Sequence, residues 1–209
     1  MRRWLVVGCL GVALLGMACG SDGGDGDSDE EERGGDSSYR EVALNEPVVA
    51  DASELRLTRG ERGENSGEIS VTFLGAEFRS VLDSACGEEN RAKGTFVLVF
   101  YEVQNDTNAE IVPDAVGTTL VLFDDNGREW DEDLTHDYTC FGSAAAAEVR
   151  GYEGPGEDMG PGFGWPTAVL FDAPEGTTGL AVRWPELEVE VGLGLPEVPA
   201  ADPDATVEP

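Results

Sequence analysis

Carboxylates are the most concentrated chemical groups in this sequence. Seven of them fall within the 14 residues from 124 to 137: Asp124, Asp125, Glu129, Asp131, Glu132, Asp133 and Asp137. Oxygen ligands at this density suit Ca²⁺, which takes about six to eight of them. An EF-hand, however, needs acids at alternate positions before its glycine, and the chain lacks them before Asn126-Gly127. We therefore interpret the segment as a solvated acidic hairpin, with a calcium site as the alternative, and assign no metal ligand.

The chain has one histidine, His136, which lies beside Asp137 in this acidic segment. Such a pair suggests acid–base chemistry, but a hydrolase also needs a nucleophile placed against the histidine. The sequence has no Gly-x-Ser-x-Gly elbow and no Gly-x4-Gly-Lys-Ser/Thr phosphate loop. We predict no catalytic residue, no enzymatic activity and no cofactor.

The overall charge excludes one class of partner. The 209 residues carry 43 acids against 13 bases, a formal net charge of −30. Nucleic-acid binding depends on neutralising phosphates with Lys and Arg, so this chain would repel DNA and RNA. The sequence therefore predicts no nucleic-acid partner.

The N-terminus has the pattern of an export signal. Arg2 and Arg3 precede a run of 15 apolar or small residues from Trp4 to Ala18. A helix needs about 20 residues to cross the hydrocarbon core, so this run is too short to span it. A charged start, a short apolar middle and a small-residue end are typical of a secretory signal. The alternative is a short anchor that stays uncleaved.

Residues 14–22, LLGMACGSD, resemble a bacterial lipobox. The resemblance implies cleavage after Ala18 and lipidation of Cys19, with residues 1–18 as the signal peptide. Cys9 fits the same letters, but its apolar run is shorter than the roughly seven residues that a signal requires. The resemblance thus implies a protein held at the extracytoplasmic face of the cell membrane by an N-terminal lipid.

Two further cysteines, Cys86 and Cys140, remain in the mature chain that this export signal predicts. Two cysteines in an exported protein are a candidate disulfide, and this one would span 53 intervening residues. In the chain-entropy model, closing a loop of that length stabilises the folded protein by on the order of 3–4 kcal/mol. Two buried free thiols are the alternative.

The segments flanking the main body are acidic and poor in apolar residues. Residues 20–38 contain eight acids and no Val, Ile, Leu or aromatic residue. Such a stretch cannot bury enough surface to offset its ordering entropy, so we predict a disordered linker over 19–38. A disordered, Pro-rich acidic tail is predicted over 196–209.

Residues 39–195 have the pattern of one all-β domain. Short apolar runs alternate with turn residues, which suggests a sandwich or a barrel, and of the two we predict an antiparallel β-sandwich. Thr95–Val103 is nearly continuous in apolar and β-favouring residues and predicts a central strand buried on both faces. Only Ser143–Glu148 favours a helix. The predicted strands are Glu54–Thr58, Glu68–Phe78, Thr95–Gln104, Thr118–Phe123, Thr167–Phe171, Leu180–Trp184 and Leu187–Val191, with weaker segments near Val42–Val49 and Arg128–Trp130.

Two asparagines mark connections between these runs. Asn126-Gly127 predicts a hairpin, because both residue types tolerate positive φ. Asn105-Asp106-Thr107 matches a glycosylation acceptor, but beside a bacterial-type signal it is interpreted as a turn.

Four pieces in this order resemble an immunoglobulin-like domain of unknown function that is common in lipoproteins of Gram-positive bacteria. They are FVLVFYEVQN (96–105), LFDDNGREW (122–130), PGED with AVLFDAP (155–158 and 168–174) and LAVRW (180–184). The resemblance covers residues 54–192 and implies an immunoglobulin-like sandwich. It also implies a binding or structural module outside the cytoplasm, and supplies no catalytic residues.

Together these patterns predict a lipid-anchored extracytoplasmic β-sandwich without catalytic activity. The first functional hypothesis is binding or interaction with an unidentified protein or other ligand of the cell envelope. A structural or protective surface lipoprotein without a specific ligand is the alternative. A calcium-dependent module and an envelope enzyme are less favoured.

Overall fold

A computed structural model describes residues 39–52, 66–82, 90–111, 120–131, 143–152 and 159–206. These residues form nine strands, one α-helix and one 3₁₀ turn. In chain order they are β1 (Arg40–Val42), β2 (Pro47–Asp51), β3 (Gly67–Leu82), β4 (Asn90–Thr107), β5 (Val121–Phe123), β6 (Glu129–Asp131), α1 (Ser143–Glu148), β7 (Gly164–Ala173), β8 (Ala181–Trp184), the 3₁₀ turn (Pro185–Leu187) and β9 (Val189–Gly192). No described helix is long and apolar enough to cross a membrane.

The strands form two sheets, one of five strands in the order β1-β9-β8-β5-β6 and one of four in the order β2-β3-β4-β7. Side chains from both sheets meet in one apolar cluster, which includes Phe73, Tyr101, Leu122, Phe171 and Trp184. The predicted all-β sandwich is therefore confirmed. β1 and β9 pair in parallel, whereas the other described strand pairs are antiparallel.

The central strand is buried on both faces, as the sequence predicts. β4 pairs with β3 on one side and β7 on the other. Its alternate side chains enter two cores: Val97 and Val99 join the cluster between the sheets, whereas Leu98 and Phe100 join a second cluster. This second cluster contains Ala146 and Ala147 of α1 together with several side chains of the four-stranded sheet. The short helix α1, predicted from its alanines, thus packs on part of the outer face of that sheet.

Several elements differ in extent from the predicted ones. The β3 and β4 strands are longer, because two register shifts let β3 continue past Phe73 and Arg79 and keep its pairing with β4. The predicted segment Leu187–Val191 begins instead with the end of a 3₁₀ turn, and Glu188 adopts a left-handed conformation (φ 51°) before β9. The predicted strand Glu54–Thr58 lies outside the described residues.

The C-terminal segment contradicts the prediction of disorder from residue 196 onwards. Val198 is buried, and its backbone donates to Thr177 O at 2.8 Å and accepts from Gly176 N–H at 2.9 Å. Further along, Arg91 Nη1 and Nη2 donate to the carbonyls of Pro203 and Ala205 at 3.2 and 3.1 Å. Residues 196–206 therefore form a strap fastened to the sandwich. The acidic, Pro-rich composition predicts disorder. The order could not be inferred from the segment itself, because the groups that anchor it belong to distant parts of the chain.

Candidate functional site

The predicted Asn-Gly hairpin joins β5 to β6, although only one of the two residues adopts a positive φ. Gly127 has a φ of +74°, whereas the φ of Asn126 is not positive. A two-residue type I′ turn would require a positive φ at both positions. Gly127 N–H donates to Asp124 O at 2.9 Å, and Asp124 N–H donates to Arg128 O at 3.1 Å. The loop therefore has three residues, with the glycine at its left-handed position.

Asp124 fixes this turn from inside. Its side chain has no exposed surface, and its Oδ1 accepts from the backbone N–H groups of Asn126 and Arg128 at 3.0 and 2.8 Å. Its Oδ2 accepts from Arg128 Nε at 2.7 Å and from Nη2 at 2.5 Å. Burial by itself would raise the pKa of the Asp124 carboxyl. The hydrogen bonds and charge of Arg128, together with the bond from Asn126, outweigh burial and lower that pKa.

These bonds change the interpretation of the acidic segment. The two oxygens of Asp124 are occupied by donors of the hairpin, and Asp125 Oδ2 accepts from Thr178 Oγ1 at 2.9 Å. In the part of the chain that the structure describes, no group of three or more His, Cys, Asp or Glu residues is placed to hold a metal ion. The remaining candidates of this segment, Glu132, Asp133, His136 and Asp137, lie outside the described residues.

The outer face of the five-stranded sheet carries a row of charged side chains. The strand register aligns one residue from each strand, in the order Glu41, Glu190, Arg183, Val121 and Asp131. Glu129 lies on the same face, two residues from Asp131. We call the five charged residues of this set the open face, because the described helix α1 packs on the other sheet. Four carboxylates share this face with one guanidinium, so the open face is negative overall.

Arg183 holds the centre of the open face. Its Nε contacts Glu190 Oε2 at 3.2 Å, and its Nη1 contacts Glu129 Oε1 at 3.4 Å. Its guanidinium carbon lies 3.7 Å from the ring centroid of Phe123 and 4.9 Å from that of Tyr39. The cation therefore covers apolar ring surface while pairing with two acids, which fixes the side chain in place.

Asn105 is a structural residue and not a glycosylation site. Its side chain is fully buried, and its Nδ2 donates to the carbonyls of Ala109 and Met159 at 2.9 and 2.8 Å. Its Oδ1 accepts from the backbone N–H and the hydroxyl of Thr107 at 3.0 and 2.7 Å. The interpretation as a turn is also wrong, since Asn105 belongs to the end of β4. Its side chain binds the backbone of the segment that follows this strand, through the carbonyl of Ala109.

The three cysteines predicted to carry chemistry are not placed by the structure. Cys19, Cys86 and Cys140 all lie outside the described residues. The lipidation site at Cys19 and the Cys86–Cys140 disulfide therefore stay predictions.

The sequence carries one signal for the open face. Arg183 is the only charged residue of β8, between Val182 and Trp184. Since side chains alternate along a strand, an arginine between two core residues must lie on the outer face. Its partners Glu129 and Glu190 come from separate strands, and their approach follows from the register of the sheet.

Comparisons with known proteins give no family. No protein-family model matches the chain, and no curated protein matches it. The chain is similar in structure to MPT63, a secreted protein from Mycobacterium tuberculosis, with a TM-score of 0.45 and 10% identity over 79% of this chain and 98% of that one. A conserved hypothetical protein from Bacillus anthracis gives a TM-score of 0.41 and 12% identity, over 70% of this chain and 96% of that one. These values assign neither family nor function.

Proposed function

We propose that this chain is a lipid-anchored module of the bacterial cell envelope that binds a partner through the open face and catalyses no reaction. The export pattern of residues 1–18 and the lipobox-like sequence at Cys19 support the anchor. The acidic linker would give the sandwich reach from the membrane surface. The resemblance to an immunoglobulin-like lipoprotein domain supports the same role.

The observation that carries the binding role is the difference between the two outer faces of the sandwich. On the outer face of the four-stranded sheet, Phe96, Leu98 and Phe100 are buried in one apolar cluster with two alanines of α1. The five-stranded sheet presents the ordered charged groups of the open face instead. Among the described residues, the buried carboxylate is that of Asp124, and it is bound to Arg128 within its own hairpin, which supports a structural role and not a catalytic one.

The charge of the open face favours a cationic partner. Charge complementarity steers association and excludes partners of like charge. Four carboxylates around one arginine therefore suit a Lys- or Arg-rich protein segment, and binding should weaken as salt is added. We take such a segment as the partner.

The anchor is tested by replacing the lipidated residue. Cys19→Ser removes the acceptor sulfur, so the protein should leave the membrane fraction and appear in the soluble extracytoplasmic fraction. Cys9→Ser is the matched control and should leave the membrane fraction unchanged. Membrane retention of the Cys19 variant would refute lipid anchoring at this residue.

The binding face is tested by photo-crosslinking on living cells. A benzoylphenylalanine replaces Glu129, whose side chain is 60% exposed on the open face. The matched control replaces Glu102, an exposed glutamate on the outer face of the four-stranded sheet. A salt-sensitive crosslink to a basic protein from position 129 and none from position 102 is expected. Equal crosslinks from both positions would contradict the role of the open face.

The alternative, a surface lipoprotein without a specific ligand, is also favoured by one observation. Among the described residues, the large apolar side chains that are exposed are Val49 and Phe163. Val49 belongs to β2 and Phe163 precedes β7, which form opposite edges of the four-stranded sheet, so the two do not make a patch. The absence of any crosslink from positions 129 and 102 would support this alternative.

A further inference from the structure

Three polar atoms are buried without a hydrogen-bond partner in the described part of the molecule. They are Trp165 Nε1, Trp184 Nε1 and Thr167 Oγ1. Thr167 has no exposed surface and Trp184 is 1% exposed. Buried polar groups in native proteins are nearly always satisfied, because an unmet donor loses its bonds to water and gains nothing in return. These three atoms therefore need an explanation.

The three groups lie between the two sheets. Trp165 and Thr167 alternate with residues that face the helix, and they share the inner side of β7 with Val169. Trp184 comes from β8 in the facing sheet and belongs to the same core cluster.

The groups also lie toward the same end of the sandwich. The loop between β7 and β8 is short, and its Thr177 pairs with Val198, which follows β9. This loop marks the end of the sandwich where β7 finishes and β8 starts. Trp165 and Thr167 come from the first part of β7, and Trp184 is the last residue of β8. All three therefore lie away from that loop.

The surroundings determine what can satisfy these groups. Indole N–H groups only donate, and the threonine hydroxyl donates or accepts, so the missing partner must offer an oxygen acceptor. Asp124 is the one charged residue among the buried polar ones described, and it is bound to Arg128. An anion would be buried here without a counter-charge, which is strongly unfavourable.

We propose that the sandwich binds a small uncharged oxygen-bearing molecule between its sheets, at the site formed by Trp165, Thr167 and Trp184. Water and a small organic molecule with a carbonyl, sulfoxide or ether oxygen share the required chemistry. The groups that would donate to the guest's oxygen come from both sheets, since Trp165 and Thr167 belong to β7 and Trp184 belongs to β8.

A pair of threonine variants tests the occupied site. Thr167→Val removes the hydroxyl while keeping the shape of the side chain, and Thr177→Val is the matched control. Thr177 is equally buried, and its Oγ1 donates to Pro174 O at 2.7 Å. If a guest pairs with Thr167, both variants should melt at lower temperature than the parent. An unchanged or raised melting temperature for Thr167→Val would overturn the proposal, because removing an unsatisfied hydroxyl relieves a cost.

NMR of the unaltered protein provides a second readout that needs no variant. The ¹⁵N-labelled indole N–H groups of Trp165 and Trp184 should show cross-peaks to a long-lived water. Titration with dimethyl sulfoxide then separates the two sources of the oxygen. A saturable shift of both indoles with loss of the water cross-peaks identifies an organic guest site, and persistence of the cross-peaks identifies water. Indoles with neither a water cross-peak nor a saturable shift would overturn the proposal.

Discussion

Asp124 shows how one acidic residue in a strongly acidic chain acquires a specific role. Its carboxylate accepts two backbone N–H groups and the guanidinium of Arg128. The guanidinium in turn lies 5.5 Å from the ring centroid of Trp130. The residue therefore fixes the hairpin that delivers Glu129 and Asp131 to the open face.

Replacing Asp124 should destabilise the domain in a pH-dependent way. The pKa of Asp124 is lowered in the folded protein, so its contribution is complete above the unfolded-state pKa and is lost as pH falls through the folded pKa. Asp124→Asn should cost about 2 kcal/mol at pH 7, since bonds to a charged acceptor are among the stronger ones.

The measurement is urea unfolding between pH 7 and pH 2. The difference between Asp124→Asn and the parent should shrink at the acidic end. Asp125→Asn is the control, because the side chain of Asp125 accepts from exposed groups. A variant difference that stays constant with pH would show that the carboxylate charge has no role.

Among the elements, the two long strands β3 and β4 organise both cores. The β4 sequence indicates its central position directly, because its apolar residues continue without alternation. The strap at residues 196–206 could not be inferred in this way. Its sequence is acidic and rich in proline, and it is ordered by Arg91, Thr95 and Ser80 from distant parts of the chain. The open face shows the same limit, since Arg183 is visible in the sequence but its partners depend on register.

Removing the strap should destabilise the sandwich. A chain ending at Leu195 loses the buried side chain of Val198, whose burial is worth about 1.5–3 kcal/mol, and its two backbone bonds to the loop before β8. Thermal unfolding should show a lower melting temperature. A chain ending at Thr206 keeps the described strap and should melt like the full chain. Equal melting of both truncated chains would mean that the strap does not stabilise the domain.

The helix also bears on the predicted disulfide. Leu82 and Ala92 flank the connection that contains Cys86, and they pack in one cluster with Ala146 and Ala147 of α1. Cys140 precedes that helix by three residues. The described residues that flank the two cysteines therefore include side chains of one apolar cluster, on the outer face of the four-stranded sheet.

Loss of this disulfide should reduce stability. Cys86→Ser with Cys140→Ser should lower the free energy of unfolding by on the order of 3–4 kcal/mol, because the unfolded chain is no longer constrained. Non-reducing mass spectrometry of the parent should show the linked peptides. Each single variant should lose as much as the double one. Two free thiols in the parent would contradict the bond.

For the molecule as a whole, most of the excess of acid lies within residues 39–195. Residues 39–195 contain 31 acids and 10 bases. The described ion pairs are mostly exposed, and such pairs contribute about 1 kcal/mol or less each. Repulsion among the remaining carboxylates therefore dominates the electrostatics of the domain.

Salt should accordingly stabilise this protein. Raising NaCl from 10 mM to 150 mM shortens the Debye length from about 30 Å to about 8 Å and screens repulsion between distant carboxylates. Scanning calorimetry should show a rising melting temperature over this range. Sucrose at the same molar concentrations is the control for effects without charge. A falling melting temperature would mean that the attractive pairs outweigh the repulsion.

The parallel pairing of β1 with β9 has a mechanical consequence. The chain enters the sandwich at β1, and after β9 it continues into the strap, which is fastened at the opposite end. A force pulling on the two chain ends therefore drags β1 and β9 in opposite directions along their common axis. The three paired positions, from Arg40 with Val189 to Val42 with Val191, are loaded in shear and must yield together. The sandwich thus resists tension between its two ends with all the bonds of this ladder at once.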